Sequence, residues 1–421
     1  MSDPKKSLSP IWTRYSDIEV DYAQGPYIYA TDGRRYLDFT SGIAVTNTGH
    51  CHPKVVAAAQ AQCARLIHGQ INIVYHKPML DLVQELQKIM PPHLDSFFFT
   101  NSGAEAVEAA LKLVRHATGR PNLVVFQGGF HGRTIGAVSL TTSNPIYHWK
   151  YQPLMAGVYV APFPHPFFYG WSEKETEDFC LKQLRHLLAS QTAPEETAAM
   201  LVEPVQGEGG YIVPTPGFLA GVEQICRQHD ILLIVDEVQT GFGRTGKWFG
   251  FQHFGVEPDV VIMAKALASG FPLSGIAARS AMMQHSPIGS QGGTYGGNAV
   301  ACAAAVATLQ VMKEERLIEN SARLGAILIA RLKELQDRFP AIGEVRGLGL
   351  MVGVEFTTPT GEPDKATATA VRHKCLDHGL MLLPCGTYHN VIRFVPPLII
   401  KESHLEEALS IFEKALQAVG P

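Results

Sequence analysis

The chain has 421 residues, 46% hydrophobic and 18% charged, with a formal net charge of −4; that is a folded globular composition, too long for one compact core, with no basic excess to draw nucleic acid or an anionic membrane. Its seven cysteines, Cys51, Cys63, Cys180, Cys226, Cys302, Cys375 and Cys385, are scattered, odd in number and never spaced as CxxC, which fits a reducing compartment rather than a disulfide framework or a thiolate metal site. MSDPKKSLSPIW lacks a signal-like apolar core, and no run approaches the roughly 20 residues that span a bilayer, so the expected setting is the cytoplasm.

The first stretch alternates short strand-like pieces with turns, and PYIYATDGRRYLDF reads as a hairpin about Asp32-Gly33. Helical patterns follow at 53–64 and 78–90. From there strand, loop and helix alternate. SFFFT (96–100) precedes a helix over 104–117, and NLVVF (122–126), GVYVAPF (157–163), AAMLVEPV (198–205), ILLIVDEV (231–238) and DVVIMAK (259–265) are short, largely apolar runs. They lack polar alternation and are separated by helices such as 217–229, the pattern of a buried, mainly parallel sheet. The spacing then predicts helices over 298–313 and 316–339 and a mixed stretch with VRGLGLMVGVEF. After it come a helix near 367–378, GLMLLP, NVIRFVPP and a last amphipathic helix over 403–418. The expected fold class is α/β. Residues 56–310 form a large domain on a mainly parallel central sheet. Residues 1–55 and 311–421 pack together as a smaller α+β domain.

Two strand ends carry charge. ILLIV runs into Asp236, and DVVIM into Lys265 after one alanine, about one crossover connection apart. Ligands of open α/β sheets bind at this edge. A strand-end lysine and a strand-end acid are the groups a pyridoxal enzyme needs, one to form the Schiff base and one to keep the pyridine nitrogen protonated. Taken alone, a buried ion pair explains them equally well. Ser102, Gly103 and Ala104 join the SFFFT strand to a helix, whose N-terminal amides and dipole favour phosphate, although a plain N-cap is the commoner use of such a loop. GGTYGGN (292–298) is a second loop that could face an anion. GFGRTG (241–246) matches a dinucleotide fingerprint, but no helix opens after it. His50-Cys51-His52 cannot converge on one ion and reads as a loop.

These segments stand in a fixed order. NSGAEAVEAALKLVR, FHGRT (130–134), VEPVQGEGG (202–210), VDEVQTGFGRTG (235–246), AKALASGFPLSG (264–275), GGTYGGN and VRGLGLM (345–351) resemble the class III (ornithine/4-aminobutyrate type) aminotransferases, from about Tyr15 to the end. The resemblance implies pyridoxal-phosphate fold type I, pyridoxal 5'-phosphate as cofactor, and a homodimer with shared active sites, a dimer of dimers being left open. By motif position Lys265 carries the cofactor, Asp236 partners its ring nitrogen and Gln239 its ring hydroxyl. Val238 lies against one ring face and Phe130 on the other, with His131 beside it in the cofactor site. Ser102, Gly103 and Ala104 bind the phosphate, joined by Thr294 from the neighbouring subunit. Ala266-Leu267 departs from the Gly or Ser many relatives carry there, which is expected to alter pocket shape and not the chemistry.

CGTYHNVIRFVPP (385–397) is most similar to the bacterial 4-aminobutyrate type, as is Ile43 in SGIAVTNTGH. Glutamate brings a carboxylate beside the reacting carbon and another at its far end; 4-aminobutyrate has only the far one. A movable acid solves this by pairing with the near arginine until the α-carboxylate arrives. Glu208 and Arg393 match that switch pair, and Arg133 matches the arginine for the distal carboxylate. The implied reaction is ping-pong transfer of the terminal amino group of an ω-amino acid, 4-aminobutyrate foremost, to 2-oxoglutarate. Other donors stay open (5-aminovalerate, ornithine, acetylornithine, β-alanine or an amine with pyruvate), as does a decarboxylase or aminomutase on the same scaffold. No metal is expected.

Overall fold

The computed structural model describes residues 4–420. Three strands come first, β1 (Val20–Gln24), β2 (Tyr27–Ala30) and β3 (Arg35–Asp38), each antiparallel to the next. The β2–β3 turn is the expected hairpin. Gly33 takes φ +83° there, and the Asp32 carboxylate accepts the Arg34 amide at 3.0 Å.

Seven strands form the central sheet: β4 (Ser96–Thr100), β5 (Asn122–Phe126), β6 (Val158–Ala161), β7 (Thr197–Val202), β8 (Leu232–Asp236), β9 (Val260–Met263) and β10 (Ser274–Ala278). Their spatial order is β4-β10-β9-β8-β7-β5-β6. The sheet is mainly parallel, as the apolar runs predict, while β10 runs against both its neighbours. The sequence reading passed over β10, because SGIAA is short and built of small side chains. Interior strands send alternate residues to opposite faces. Leu123 and Val125 pack with the helix Gly103–Thr118, and Val124 and Phe126 enter the larger core on the other side. Both faces are covered, so polar alternation is missing. Ser102 caps that helix, its hydroxyl accepting the Glu105 amide at 3.3 Å.

The C-terminal part adds β11 (Ile342–Leu348), β12 (Met351–Phe356), β13 (Leu380–Met381), β14 (Leu383–Cys385) and β15 (Val391–Phe394). Four of them form a sheet in the order β11-β12-β15-β14, and β13 lies parallel to β3, with Leu380 opposite Leu37. The two ends of the chain therefore share a sheet. The helices Pro53–Cys63 and Ala299–Glu314 pack together and run through residues 55 and 310, so the expected domain edges fall inside packed helices. Among the described residues no helix is long and apolar enough to cross a membrane.

The GFGRTG segment opens no helix; it is a run of turns. Its Arg244 is fully buried. Nη1 donates to the carbonyls of Leu350 (3.0 Å) and Pro396 (2.5 Å), and Nη2 to the Asn47 side chain (2.5 Å). One guanidinium thus ties residues 47, 350 and 396 to the strand-end loop after β8. All three acceptors are neutral, and burial pulls the Arg244 pKa down to about 10. A lysine keeps the charge but lacks the planar fork. Arg244→Lys should cost about 1.5–3 kcal/mol, the usual worth of a charge-assisted hydrogen bond, read from the urea midpoint; an unchanged midpoint would show that the fork is dispensable.

Candidate active site

Asp236 ends β8 and pairs in register with Ile262 of β9, so Asp236 and Lys265 emerge side by side at the C-terminal edge of neighbouring strands. Lys265 adopts φ +48°, a left-handed conformation uncommon for a side-chain-bearing residue. Such strain persists where surrounding packing holds it, and it concentrates at functional sites.

A cavity of about 320 Å³ opens there. Ser102, Gly103, Phe130, His131, Asp236 and Lys265 line it, together with Val238, Gln239 and Glu203. The Asp236 carboxylate is buried. One oxygen lies 2.8 Å from His131 Nδ1, and the other accepts the Val238 amide at 3.0 Å. Gln239 is oriented by the Tyr211 hydroxyl, which donates to its Oε1 at 2.8 Å. Gly103 is needed for close approach, since a Cβ there would meet the two Val238 methyls at 3.2 and 3.3 Å. Burial pushes the Lys265 ammonium below its ordinary pKa, and the attraction of Glu208 offsets this only in part.

Other expected residues stand apart from the wall. Ala104 follows Gly103 in the first helical turn and packs toward Gly132, whose Cβ would come within 2.7 Å of that of Ala104. Ile43 is exposed in a turn at φ +69°, and Val45 is the nearby residue that reaches the cavity. Thr294 is exposed, in a loop that borders a second cleft with Asn101 and Glu105. The helix after that loop is capped by Asn298, whose side chain accepts the Val300 amide at 3.0 Å.

Arg393, on β15, is 1% exposed, so its charge must be met inside the protein. Its Nη1 lies 2.6 Å from Glu208 Oε1, while its buried Nε has no hydrogen-bond partner among the described residues. Burial opposes ionisation of both groups, but their mutual attraction outweighs it, holding the Glu208 carboxyl below its usual range and pushing the Arg393 guanidinium up. Arg133 is exposed, its guanidinium 4.9 Å from the Tyr147 ring centre and 5.8 Å from that of Phe130.

Glu203 was not singled out in the sequence, although it ends an apolar run as Asp236 does. Its two oxygens accept the amides of Phe130 and Gly207, both at 2.9 Å. It therefore joins the residue that borders the cavity to the turn that carries Glu208. Burial, opposed by His131 and reinforced by the Asp236 charge, pushes its pKa up to about 7.

A helix N-terminus, a carboxylate backed by histidine and a desolvated lysine open on one cavity at the edge of an α/β sheet. That donor set fits the phosphate, the ring nitrogen and the aldehyde carbon of pyridoxal phosphate. The solved structure of an amine transaminase from an uncultivated Pseudomonas species, in its PLP-bound form, superposes with a TM-score of 0.92 at 30% identity, covering 98% of each chain. Fold and site define a pyridoxal-phosphate-dependent transaminase. More narrowly, the chain belongs to the class III aminotransferases, whose family profile, Aminotransferase class-III, matches residues 11–416. It is 41% identical to a probable 4-aminobutyrate aminotransferase of Bacillus subtilis over 94% of this chain and 92% of the relative. It is 39% identical to a 5-aminovalerate aminotransferase of Pseudomonas putida over 96% and 94%.

The raised pKa of Glu203 has a sign that can be measured. Below pH 4.5 both the folded and unfolded forms carry its proton. Between 4.5 and about 7 the unfolded chain releases it first, so the group costs stability as pH rises, on the order of 3 kcal/mol by pH 7, and the cost then levels off. Urea denaturation of cofactor-free protein should therefore show the stability of the wild type relative to Glu203→Gln falling between pH 5 and 7 and flat above. A difference independent of pH would place the Glu203 pKa in the ordinary range.

Proposed function

We propose that this aminotransferase moves the terminal amino group of an ω-amino acid, 4-aminobutyrate foremost, to 2-oxoglutarate in two alternating half-reactions. The observation that carries this is the buried Arg393, held by one carboxylate and with its Nε unpartnered. An arginine that exchanges Glu208 for a substrate α-carboxylate needs a second free donor, because planar carboxylates bind guanidinium through two donors. Glu208 covers Arg393 while the donor has no α-carboxylate, and moves aside for glutamate or 2-oxoglutarate. Arg133, exposed above two rings, takes the distal carboxylate common to both substrates. The names of the two relatives support donors of this class. Arg133 is held largely by ring faces, which leaves it room to accept 5-aminovalerate, one methylene longer.

Pyridoxal phosphate, when bound, supplies the electron sink for the carbon that loses its proton. Lys265 would hold it; as an amine of depressed pKa, Lys265 takes the proton from the amine-bearing carbon and later returns it. Asp236, fixed by His131, holds a proton at the ring nitrogen. Gln239 meets the ring hydroxyl, Val238 and Phe130 confine the ring, and Ser102, Gly103 and Ala104 receive the phosphate. The phosphate site is completed by the partner subunit's Thr294 in a homodimer, which accounts for the distance of this loop from the cavity in a single chain. The scattered free cysteines favour the cytoplasm.

Single-turnover spectra of the cofactor can follow each half-reaction. Arg393→Ala should slow the glutamate half-reaction by roughly ten- to hundred-fold, the equivalent of about 1.5–3 kcal/mol. Glu208→Ala should slow 4-aminobutyrate more than glutamate. If it slows glutamate at least as much, the switch is wrong. Shared sites have their own test. Lys265→Ala and Thr294→Ala homodimers should each be impaired, whereas a mixed dimer contains one doubly damaged site and one intact site. Subunit exchange should therefore restore activity, and no gain on mixing would refute sharing.

A further inference from the structure

Arg346, in VRGLGLM, lies outside the cavity wall, yet it shares a row of the C-terminal sheet with Arg393. Arg346 pairs with Gly353 on β12, and Gly353 pairs with Arg393 on β15. Directly opposed residues of antiparallel strands project from one face, so the two guanidiniums flank Gly353. The turn over residues 207–211 rests on that face. A Cβ at Gly353 would meet the Tyr211 Cβ at 3.1 Å and the Gly210 carbonyl oxygen at 3.4 Å, so the bare glycine lets the turn sit close.

Arg393 holds the side chain of this turn, through Glu208. Arg346 holds its backbone: Nε and Nη2 both donate to the Gly210 carbonyl, at 3.0 and 2.7 Å. Nη1 is fixed in turn by Glu355 at 2.6 Å and by Glu344. Glu355 also accepts from Asn390 Nδ2 at 3.1 Å. His165, Glu344 and Glu355 come close enough together to suggest metal ligands, but the guanidinium already bridges the two carboxylates and is the cation of the cluster. Elsewhere the turn is held by the Gly207 amide on Glu203 and by the Gly386 amide, which donates to the Glu208 carbonyl at 2.9 Å.

We propose that Arg346 is a positioning residue that docks the Glu208 turn on the sheet and so sets how firmly Glu208 stays paired with Arg393. Its effect on turnover rests on the switch assignment made above; its effect on the turn does not. Lysine at this position keeps the charge and loses the fork that grips one carbonyl twice.

The test compares Arg346→Lys with Glu208→Ala and wild type, in the cofactor-loaded enzyme. Hydrogen exchange of the amides at 207–211 should quicken at least tenfold in Arg346→Lys, with β8 unchanged. Its 4-aminobutyrate half-reaction should slow severalfold more than its glutamate half-reaction, the direction expected of Glu208→Ala. General damage would slow both halves alike and quicken exchange throughout. Unchanged exchange at 207–211 overturns the proposal. So does quickened exchange with no shift in the ratio of half-reactions, provided Glu208→Ala shifts it. If Glu208→Ala itself shifts nothing, the switch fails and the exchange result alone decides whether Arg346 docks the turn. Glu355→Gln, which weakens the support of Arg346, should give the same signature, and it decides the matter if Arg346→Lys does not fold.

Discussion

A guanidinium that is almost wholly out of water must keep a partner, and the active site is organised around that requirement. Removing one member of a buried pair leaves an uncompensated charge and typically costs about 3–5 kcal/mol. Arg393 and Glu208 meet at 2.6 Å, yet they lie on elements far apart in the chain. Arg393 is fixed by the register of β15 in the C-terminal sheet; Glu208 sits on a turn after β7 of the central sheet. The pair exists only while the two sheets are docked. Arg244 supplies part of that docking from the loop after β8, through Asn47, Leu350 and Pro396. The pair therefore depends on contacts remote from it, at residues 47, 350 and 396.

The same edge sorts its acids by what surrounds them. Asp236 faces the His131 ring and one backbone amide. Glu203 receives only backbone amides and is pushed up to about 7. Glu237, next to Asp236, points away to the Thr240 hydroxyl and the amides of Gly250 and Phe251, and burial pushes it to about 7 as well. Burial thus biases two of these acids, Glu203 and Glu237, toward the neutral form, in which they serve as acceptors for the surrounding backbone.

Much of this was legible in the chain. The buried strands announced themselves as unbroken apolar runs, and Asp236 and Lys265 as charges where such runs end. Their roles came from the order of motifs and not from spacing, which left an ion pair equally open. Glu203 obeys the same strand-end rule but lies in a segment whose motif match falls on Glu208. Arg346 could not be seen at all. An arginine in a glycine-rich strand reads as surface charge until cross-strand register places it beside Arg393. GFGRTG matches a dinucleotide fingerprint but lacks the helix after it, and its residues form turns around a buried arginine. His50 and His52 reach different carboxylates, Asp38 and Glu315, a divergence that adjacency in sequence only hinted at. Ala104, Ile43 and Thr294, placed at the site by motif position, lie off the cavity wall of the single chain.

The pairing of β13 with β3 bears on how the protein is made. Tyr36, Leu37 and Asp38 leave the ribosome well before the strand that covers their open edge, Leu380–Met381. At about 5–20 residues per second the edge of the β1–β3 hairpin waits on the order of tens of seconds for its partner. During that time it is an unpaired strand with apolar neighbours, the kind of surface on which nascent chains stick to one another. Contacts so distant in sequence also make folding slow. Protection of this hairpin during synthesis is therefore a demand set by topology, one that stability of the finished fold does not reveal.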